Sequence, residues 1–153
     1  MAALKEGMKA PYFEGTDQDN RKIKLTDFKG RKLILYFYPK DNTPGCTAEA
    51  CNLRDNFTGL TDKGFAVIGV SMDDEKSHKN FAGKYSLPFT LIADTSKKIL
   101  EDYGAWGEKK LYGKSYMGIL RTTFIIDENG IIEKIISKVD TKNHTEQILN
   151  LYK

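Results

Sequence analysis

The most apolar run of the chain is Leu33-Ile34-Leu35-Tyr36-Phe37-Tyr38. It shows no polar alternation, which is typical of a strand covered on both faces, and Pro39 ends it because proline cannot donate to a β-ladder. A second apolar run, Phe65-Ala66-Val67-Ile68-Gly69-Val70, follows after a stretch with helical periodicity. Two strands joined by a helix form a parallel pair with a right-handed crossover. These runs therefore predict an α/β fold.

Segments on either side of this pair add antiparallel strands. Residues 12–16 and 22–25 are strand-like and flank a cluster of turn-forming residues, which predicts an N-terminal hairpin. Residues 122–126 and 131–136 flank Asn129-Gly130, a pair that tolerates positive φ and indicates a second hairpin. The predicted central sheet is therefore mixed, with helices on its faces.

Helical periodicity and end signals predict one turn at residues 26–30 and longer helices at 46–60, 74–85, 96–103 and 143–151, with a short strand at 90–93. The stretch from Gly104 to Gly118 is interrupted by glycines and fits no regular element. We expect it to be a long loop, and long loops in compact domains are often functional.

Length and composition indicate one domain spanning residues 1–153. The chain has 24 basic and 21 acidic residues spread along its length, a pattern typical of a solvated surface and not of nucleic-acid binding. No apolar run approaches the roughly 18 residues needed to span a bilayer. The sequence from Met1 to Gly7 lacks the apolar segment of a secretory signal, so a cytoplasmic location is expected.

Both cysteines of the protein lie close together, at Cys46 and Cys51, just after the first predicted strand. At about 100° per residue, Cys46 falls at the centre of an apolar helical stripe and Cys51 on the opposite side. In an intact helix their Cα atoms are about 8.6 Å apart, which exceeds the roughly 7 Å limit for a disulfide. A bond between them would therefore require local unwinding, and we expect a reduced chain to keep a continuous helix from about Cys46 to Leu60.

The residues before Cys46 have the properties of a helix start. Thr43 can act as the N-cap, and Pro44 suits the first helical position because its missing N–H is not needed there. Cys46 then lies in the first turn, where unpaired amides and the helix dipole favour a thiolate. The simpler interpretation is that Cys46 is a small core residue, since free cysteines are commonly buried.

Three other functions are compatible with these residues. A zinc site could use Cys46, Cys51, His78 and His144, although a five-residue helical spacing directs the two thiolates to different faces. A disulfide oxidoreductase is a second possibility, but it usually has Cys-x-x-Cys, whereas this pair is Cys-x-x-x-x-Cys. The third is a non-catalytic binding or chaperone-like domain.

The segment Phe37-Tyr38-Pro39-Lys40-Asp41-Asn42-Thr43-Pro44-Gly45-Cys46-Thr47-Ala48-Glu49-Ala50-Cys51-Asn52-Leu53-Arg54-Asp55 resembles the active-site segment of peroxiredoxins. The similarity is greatest to the bacterioferritin comigratory protein, or peroxiredoxin Q, branch. It extends over nearly the whole chain and includes Gly69-Val70-Ser71, Tyr112-Gly113-Lys114-Ser115-Tyr116-Met117-Gly118-Ile119 and Arg121-Thr122-Thr123-Phe124-Ile125-Ile126-Asp127.

This resemblance implies a role for each of five residues. Cys46 would be the thiolate that attacks peroxide, and Cys51 the thiol that resolves the product. Thr43 would hydrogen-bond the peroxide, and Pro39 would shield the pocket from water. Arg121 would stabilise the thiolate and orient the peroxide through its fork of donors. On its own, an arginine at a strand start is usually a surface charge.

The resemblance also implies a reaction cycle and a fold. Cys46 would be oxidised to a sulfenic acid, Cys51 would condense with it to an intramolecular disulfide, and a thioredoxin-type dithiol would restore both thiols. Hydrogen peroxide and organic hydroperoxides are the expected substrates. The implied fold is thioredoxin-like, the implied protein is monomeric, and no metal or organic cofactor is required. His144 resembles a histidine of this branch to which the sequence gives no role.

Overall fold

A computed structural model describes residues 3–153. Its nine strands, in chain order, are β1 Glu14–Asp17, β2 Lys22–Lys24, β3 Lys32–Phe37, β4 Phe65–Ser71, β5 Thr90–Ala93, β6 Trp106–Leu111, β7 Lys114–Ile119, β8 Thr122–Ile126 and β9 Ile132–Ile136. The helices are α1 Pro44–Asp55, α2 Phe57–Asp62, α3 Glu75–Tyr85, α4 Lys98–Asp102 and α5 His144–Asn150, with a 3₁₀ turn at Leu25–Phe28. None of the helices within residues 3–153 is both long and apolar enough to span a membrane.

Seven of the strands form one sheet in the order β2-β1-β5-β4-β3-β8-β9. β3 pairs in parallel with β4, and β4 with β5. The remaining pairs in this sheet are antiparallel, including the N-terminal hairpin β1-β2 and the β8-β9 hairpin. The predicted mixed sheet and both predicted hairpins are therefore confirmed.

The central strand β3 is covered on both faces. Leu33, Leu35 and Phe37 pack into one buried cluster, while Ile34, Tyr36 and Tyr38 pack into the other. These six side chains are at most 1% exposed, which confirms the interpretation of the unbroken apolar run. Cys46 belongs to the second cluster, so the cysteine lies in the core on one face of the sheet.

The prediction of a long loop between Gly104 and Gly118 is wrong. This stretch contains β6 and β7, which form a separate two-stranded antiparallel hairpin. Its two-residue turn is Tyr112-Gly113, with φ of 52° and 77°, which matches a turn with positive φ at both central positions. Much of the hairpin is exposed, so it lacks the alternation of apolar residues by which a half-buried strand is recognised.

The prediction of one continuous helix from Cys46 to Leu60 is also wrong. The chain leaves helical geometry at Asn56, where φ is −111° and ψ is 9°, and this residue separates α1 from α2. Its side-chain amide donates to the Asn52 carbonyl at 2.8 Å. Asparagine competes for backbone groups in this way and therefore favours helix ends. Both cysteines nevertheless lie within the uninterrupted α1.

Candidate active site

The sheet topology brings two distant segments to one end of β3. α1 begins at Pro44, shortly after β3 ends at Phe37. β8 runs antiparallel to β3, with Thr122 opposite Phe37, so the residue before β8 lies at the same end. That residue is Arg121. The register therefore places its guanidinium beside the first turn of α1.

Cys46 and Arg121 are in contact there. The Nη2 atom of Arg121 donates to the Sγ of Cys46 at 3.2 Å, and Cys46 is 1% exposed. A Cβ atom at position 45 would lie 3.3 Å from the same Nη2, so Gly45 leaves room for the guanidinium. Cys46 and the half-buried Cys51 are both free thiols. Cys46 therefore has a positive charge beside it at the start of a helix.

Thr43 occupies the N-cap position of α1, and Pro44 follows it at the first helical position, as predicted. The hydroxyl does not perform the expected capping, since within the described chain it makes no capping hydrogen bond. It donates instead to the Lys40 carbonyl at 2.8 Å. Because a hydroxyl has one hydrogen and two lone pairs, the oxygen can still accept a hydrogen bond. Pro39 is half-buried at the start of the same loop.

Glu49 is a buried member of the site that the sequence analysis missed. Its side chain is fully buried, and its Oε1 accepts from the Nη1 of Arg121 at 2.6 Å. Burial raises the pKa of Glu49 to about 7, although Arg121 acts in the opposite direction. One signal could have revealed it. Glu49 lies three residues after Cys46, on the apolar face of the helix, where a carboxylate needs a partner.

Two nitrogen atoms of the Arg121 guanidinium thus make separate contacts. Nη2 contacts the thiol and Nη1 contacts the carboxyl group. Burial lowers the pKa of Arg121. The negative groups Glu49 and Cys46 together raise it by more than burial lowers it, so the pKa of Arg121 lies above its usual value. The guanidinium is therefore a fixed positive charge shared by two acidic groups.

His144 lies on the other side of Glu49. Its Nε2 is 2.9 Å from the Thr123 hydroxyl and 3.6 Å from the Oε2 of Glu49, and its Nδ1 is 2.9 Å from the Oε1 of Gln147. The ring is fully buried. Burial lowers the pKa of His144 to about 4. The imidazole therefore extends the buried polar cluster of the thiol by one more titratable group.

A second polar network fixes the loop between Pro39 and Thr43. The carboxylate of Asp41 accepts from the Tyr38 hydroxyl at 2.6 Å and from the Ser77 hydroxyl at 2.8 Å, and it lies 2.8 Å from the Nδ1 of His78. The backbone N–H of Asp41 donates to Asp73 at 2.8 Å. This loop carries Thr43, so the network holds it in position relative to α3.

The alternative zinc site does not form. Within residues 3–153, the one cluster of potential ligand atoms close enough to share an ion is that of Asp41, Asp73 and His78, and it includes neither cysteine. His144 belongs to the separate network around Glu49. The four side chains considered from the sequence therefore do not converge.

Comparisons with known proteins show which family the sequence is similar to. The AhpC/TSA family model matches residues 7–135. The peroxiredoxin Bcp of Escherichia coli K12 is 45% identical over 153 residues, covering 100% of this chain and 98% of that protein.

Solved structures of peroxiredoxins are similar to this chain over nearly its whole length. A cysteine-to-serine variant of peroxiredoxin Q from Xylella fastidiosa superposes with a TM-score of 0.92 at 28% identity, covering 99% of this chain and 97% of the other. The Xanthomonas campestris bacterioferritin comigratory protein, studied for alkyl peroxide reduction, gives 0.89 at 29% identity, covering 96% of each chain. The predicted thioredoxin-like fold is thereby confirmed. The chain belongs to the AhpC/TSA family, in the Bcp or peroxiredoxin Q branch of the peroxiredoxins.

Proposed function

We propose that this protein is a thiol peroxidase that reduces hydrogen peroxide and organic hydroperoxides through Cys46. The observation that carries the proposal is the 3.2 Å contact between Arg121 Nη2 and Cys46 Sγ in the first turn of α1. A neighbouring cation and a helix N-terminus both favour the thiolate, which is the nucleophilic form of cysteine. The Xanthomonas relative, named for alkyl peroxide reduction, supports the same substrate class.

The first step is nucleophilic attack on the peroxide. The Cys46 thiolate forms a bond to the terminal, hydrogen-bearing oxygen, and the O–O bond breaks. The sulfur is oxidised to a sulfenic acid, and the leaving oxygen takes up a proton to give water or an alcohol. Arg121 stabilises the developing negative charge, the Thr43 hydroxyl oxygen accepts from the peroxide O–H, and Pro39 limits access of water.

Cys51 resolves the sulfenic acid. Its sulfur bonds to that of Cys46, and a water molecule leaves, which produces an intramolecular disulfide. Because α1 is continuous over both residues, it must first unwind locally. Asn52 holds this part of α1 against the segment around α5, since it donates to the Lys142 carbonyl at 3.0 Å and accepts from the Thr145 N–H at 2.8 Å. We expect these two bonds to break during resolution.

The cycle closes when an external dithiol of the thioredoxin type reduces the disulfide by thiol exchange. We expect residues 1–153 to act as one domain, in a monomer. Two alternatives stay open to test: a disulfide oxidoreductase, which would transfer disulfides without consuming peroxide, and a non-catalytic binding domain, which would not depend on either cysteine.

Peroxide consumption with thioredoxin and its reductase separates these functions. The wild type should turn over, Cys46→Ser should lose all turnover, and Cys51→Ser should lose turnover with thioredoxin. Serine keeps the size of the side chain, so folding should be preserved. Equal consumption by wild type and Cys46→Ser would contradict the proposal.

A further inference from the structure

We propose that Glu49 and His144 share one exchangeable proton, held on the Oε2 of Glu49, and that this proton keeps the positive charge of Arg121 available to the Cys46 thiolate. The inference rests on the proposed role of Cys46 and assigns His144 as a positioning residue. Hydrogen bonds of the His144 ring fix its tautomer.

The orientation of the Gln147 amide is determined by backbone groups. Its Nε2 donates to the Lys138 carbonyl at 2.7 Å, and its Oε1 accepts from the Asp140 N–H at 2.9 Å. The Nδ1 of His144 lies 2.9 Å from that same Oε1. An amide oxygen can only accept, so Nδ1 must carry a hydrogen.

The other ring nitrogen of neutral His144 is therefore an acceptor. Nε2 lies 2.9 Å from the Thr123 hydroxyl, which can donate to it. The Oε2 of Glu49 lies 3.6 Å from the same nitrogen and has no hydrogen-bond partner among residues 3–153, although the side chain is fully buried. An ionised Glu49 would leave a bare, desolvated oxygen without a donor beside a neutral ring, which is unfavourable. A proton on Oε2 removes this conflict.

The electrostatic environment favours the same location for the proton. Burial raises the pKa of Glu49 to about 7 and lowers that of His144 to about 4. The imidazole is then neutral, and the carboxyl group is the one that titrates near neutrality. The groups that face this pair are Arg121 before β8, Cys46 on α1, Tyr36 on β3 and Asp140 before α5.

Loss of this proton affects the thiol through Arg121. While Glu49 is neutral, the thiolate is the one anion that balances the guanidinium. When Glu49 ionises, a carboxylate 2.6 Å from Nη1 competes for the same charge. The negative charges of Cys46 and Glu49 are then coupled through the same guanidinium, and each makes the other more costly. His144 contributes a neutral ring next to this oxygen, so that no second cation draws the proton from Glu49.

Two spectroscopic measurements on the reduced protein test directly where this proton is located. At pH 6, ¹⁵N NMR should show His144 neutral with its hydrogen on Nδ1. Infrared spectroscopy should show the C=O stretch of a buried protonated carboxyl group, and Glu49→Gln should lose this band. Asp55→Asn, an exposed carboxylate on the same helix, should keep it. An imidazolium at position 144, or the absence of the band in the wild type, would overturn the proposal.

A kinetic measurement tests the effect of the Glu49 proton on the Cys46 thiol. The rate of Cys46 alkylation by iodoacetamide should rise over a wider pH range in the wild type than one ionisation allows. Glu49→Gln should narrow the rise to a single ionisation and move its midpoint to lower pH, whereas Asp55→Asn should match the wild type. Identical profiles in all three proteins would contradict the coupling. Neither measurement requires peroxide turnover, so a failure of the proposed peroxidase activity would be seen separately.

Discussion

The guanidinium of Arg121 lies 3.2 Å from the sulfur of Cys46, although the two residues are 75 positions apart in the chain. The contact results from the antiparallel register of β3 and β8, which brings the residue before β8 to the end of the sheet where α1 starts. The positive charge next to the thiol is thus fixed by the sheet and not by a flexible loop.

Arg121→Lys should weaken this arrangement, because one ammonium group cannot contact the sulfur and Glu49 in the way a planar fork does. We expect the midpoint of Cys46 alkylation to move to higher pH and the rate of the first peroxide reaction to fall about 100-fold. Stopped-flow kinetics over a pH series measures both. The exposed Arg31 provides the control, since Arg31→Lys should match the wild type. Unchanged kinetics in Arg121→Lys would mean that the contact has no role in catalysis.

Asp41→Asn should destabilise the protein by about 3 kcal/mol, because the buried carboxylate accepts from the hydroxyls of both Tyr38 and Ser77 and lies 2.8 Å from the Nδ1 of His78. An amide has one acceptor oxygen and would place its NH₂ group against donors. Urea denaturation gives the change in the free energy of unfolding. Asp62→Asn, at an exposed position, should stay within about 0.5 kcal/mol of the wild type. A similar small effect at Asp41 would show that the network does not hold the loop.

Glu49→Gln and His144→Gln should change the pH dependence of stability in opposite directions. The pKa of Glu49 is raised from 4.5 to about 7, so its contribution to stability falls as pH rises through this range. The pKa of His144 is lowered from 6.5 to about 4, so its contribution rises between those values. Each effect amounts to about 3 kcal/mol over its range. In the wild type they nearly cancel, since folding moves a proton from His144 to Glu49.

Each variant therefore removes one of the two opposing contributions to the pH dependence of stability. Relative to wild type, Glu49→Gln should gain stability as pH rises from about 4.5 to 7, because the term that falls with pH is gone. His144→Gln should lose stability relative to wild type between about pH 4 and 6.5. Urea denaturation at several pH values provides the curves. Curves parallel to the wild type in both variants would contradict the protonation states derived for the pair.

The hairpin turn gives an independent test of the fold. Tyr112 adopts φ of 52° in a fully exposed turn, a conformation that asparagine tolerates better than tyrosine. Tyr112→Asn should therefore stabilise the protein by about 0.5 kcal/mol. Lys110→Asn, in the extended strand β6, should be neutral or destabilising. A loss of stability in Tyr112→Asn would show that the side chain makes a contact that outweighs the strain.

The sequence predicts the framework of the sheet well because burial leaves a clear pattern. The apolar run of β3 is buried on both faces of the sheet, and Asn129-Gly130 indicates the turn between β8 and β9. The β6-β7 hairpin was missed because an exposed ribbon requires no apolar alternation. The break at Asn56 was missed because the apolar stripe continues from Leu53 to Leu60 across it.

The candidate site could be predicted from the sequence only in part, for a related reason. Local signals identify Cys46 in the first turn of a helix, but the position of Arg121 depends on strand register, and only the family resemblance placed it near the thiol. The roles of Thr43, Pro39 and Cys51 stay predictions. Glu49 and His144 lie 95 positions apart and come together because α1 packs against the start of α5. No local sequence pattern indicates such a contact.

The central claim is that Cys46 attacks peroxide and that Cys51 resolves the product, and rapid mixing of the reduced protein with one equivalent of hydrogen peroxide tests it most directly. Mass spectrometry of the quenched products should show a Cys46–Cys51 disulfide in the wild type, a Cys46 sulfenic acid in Cys51→Ser, and no oxidation in Cys46→Ser. A sulfenic acid that forms on Cys51 as rapidly in Cys46→Ser as the wild type reacts would contradict this division of roles.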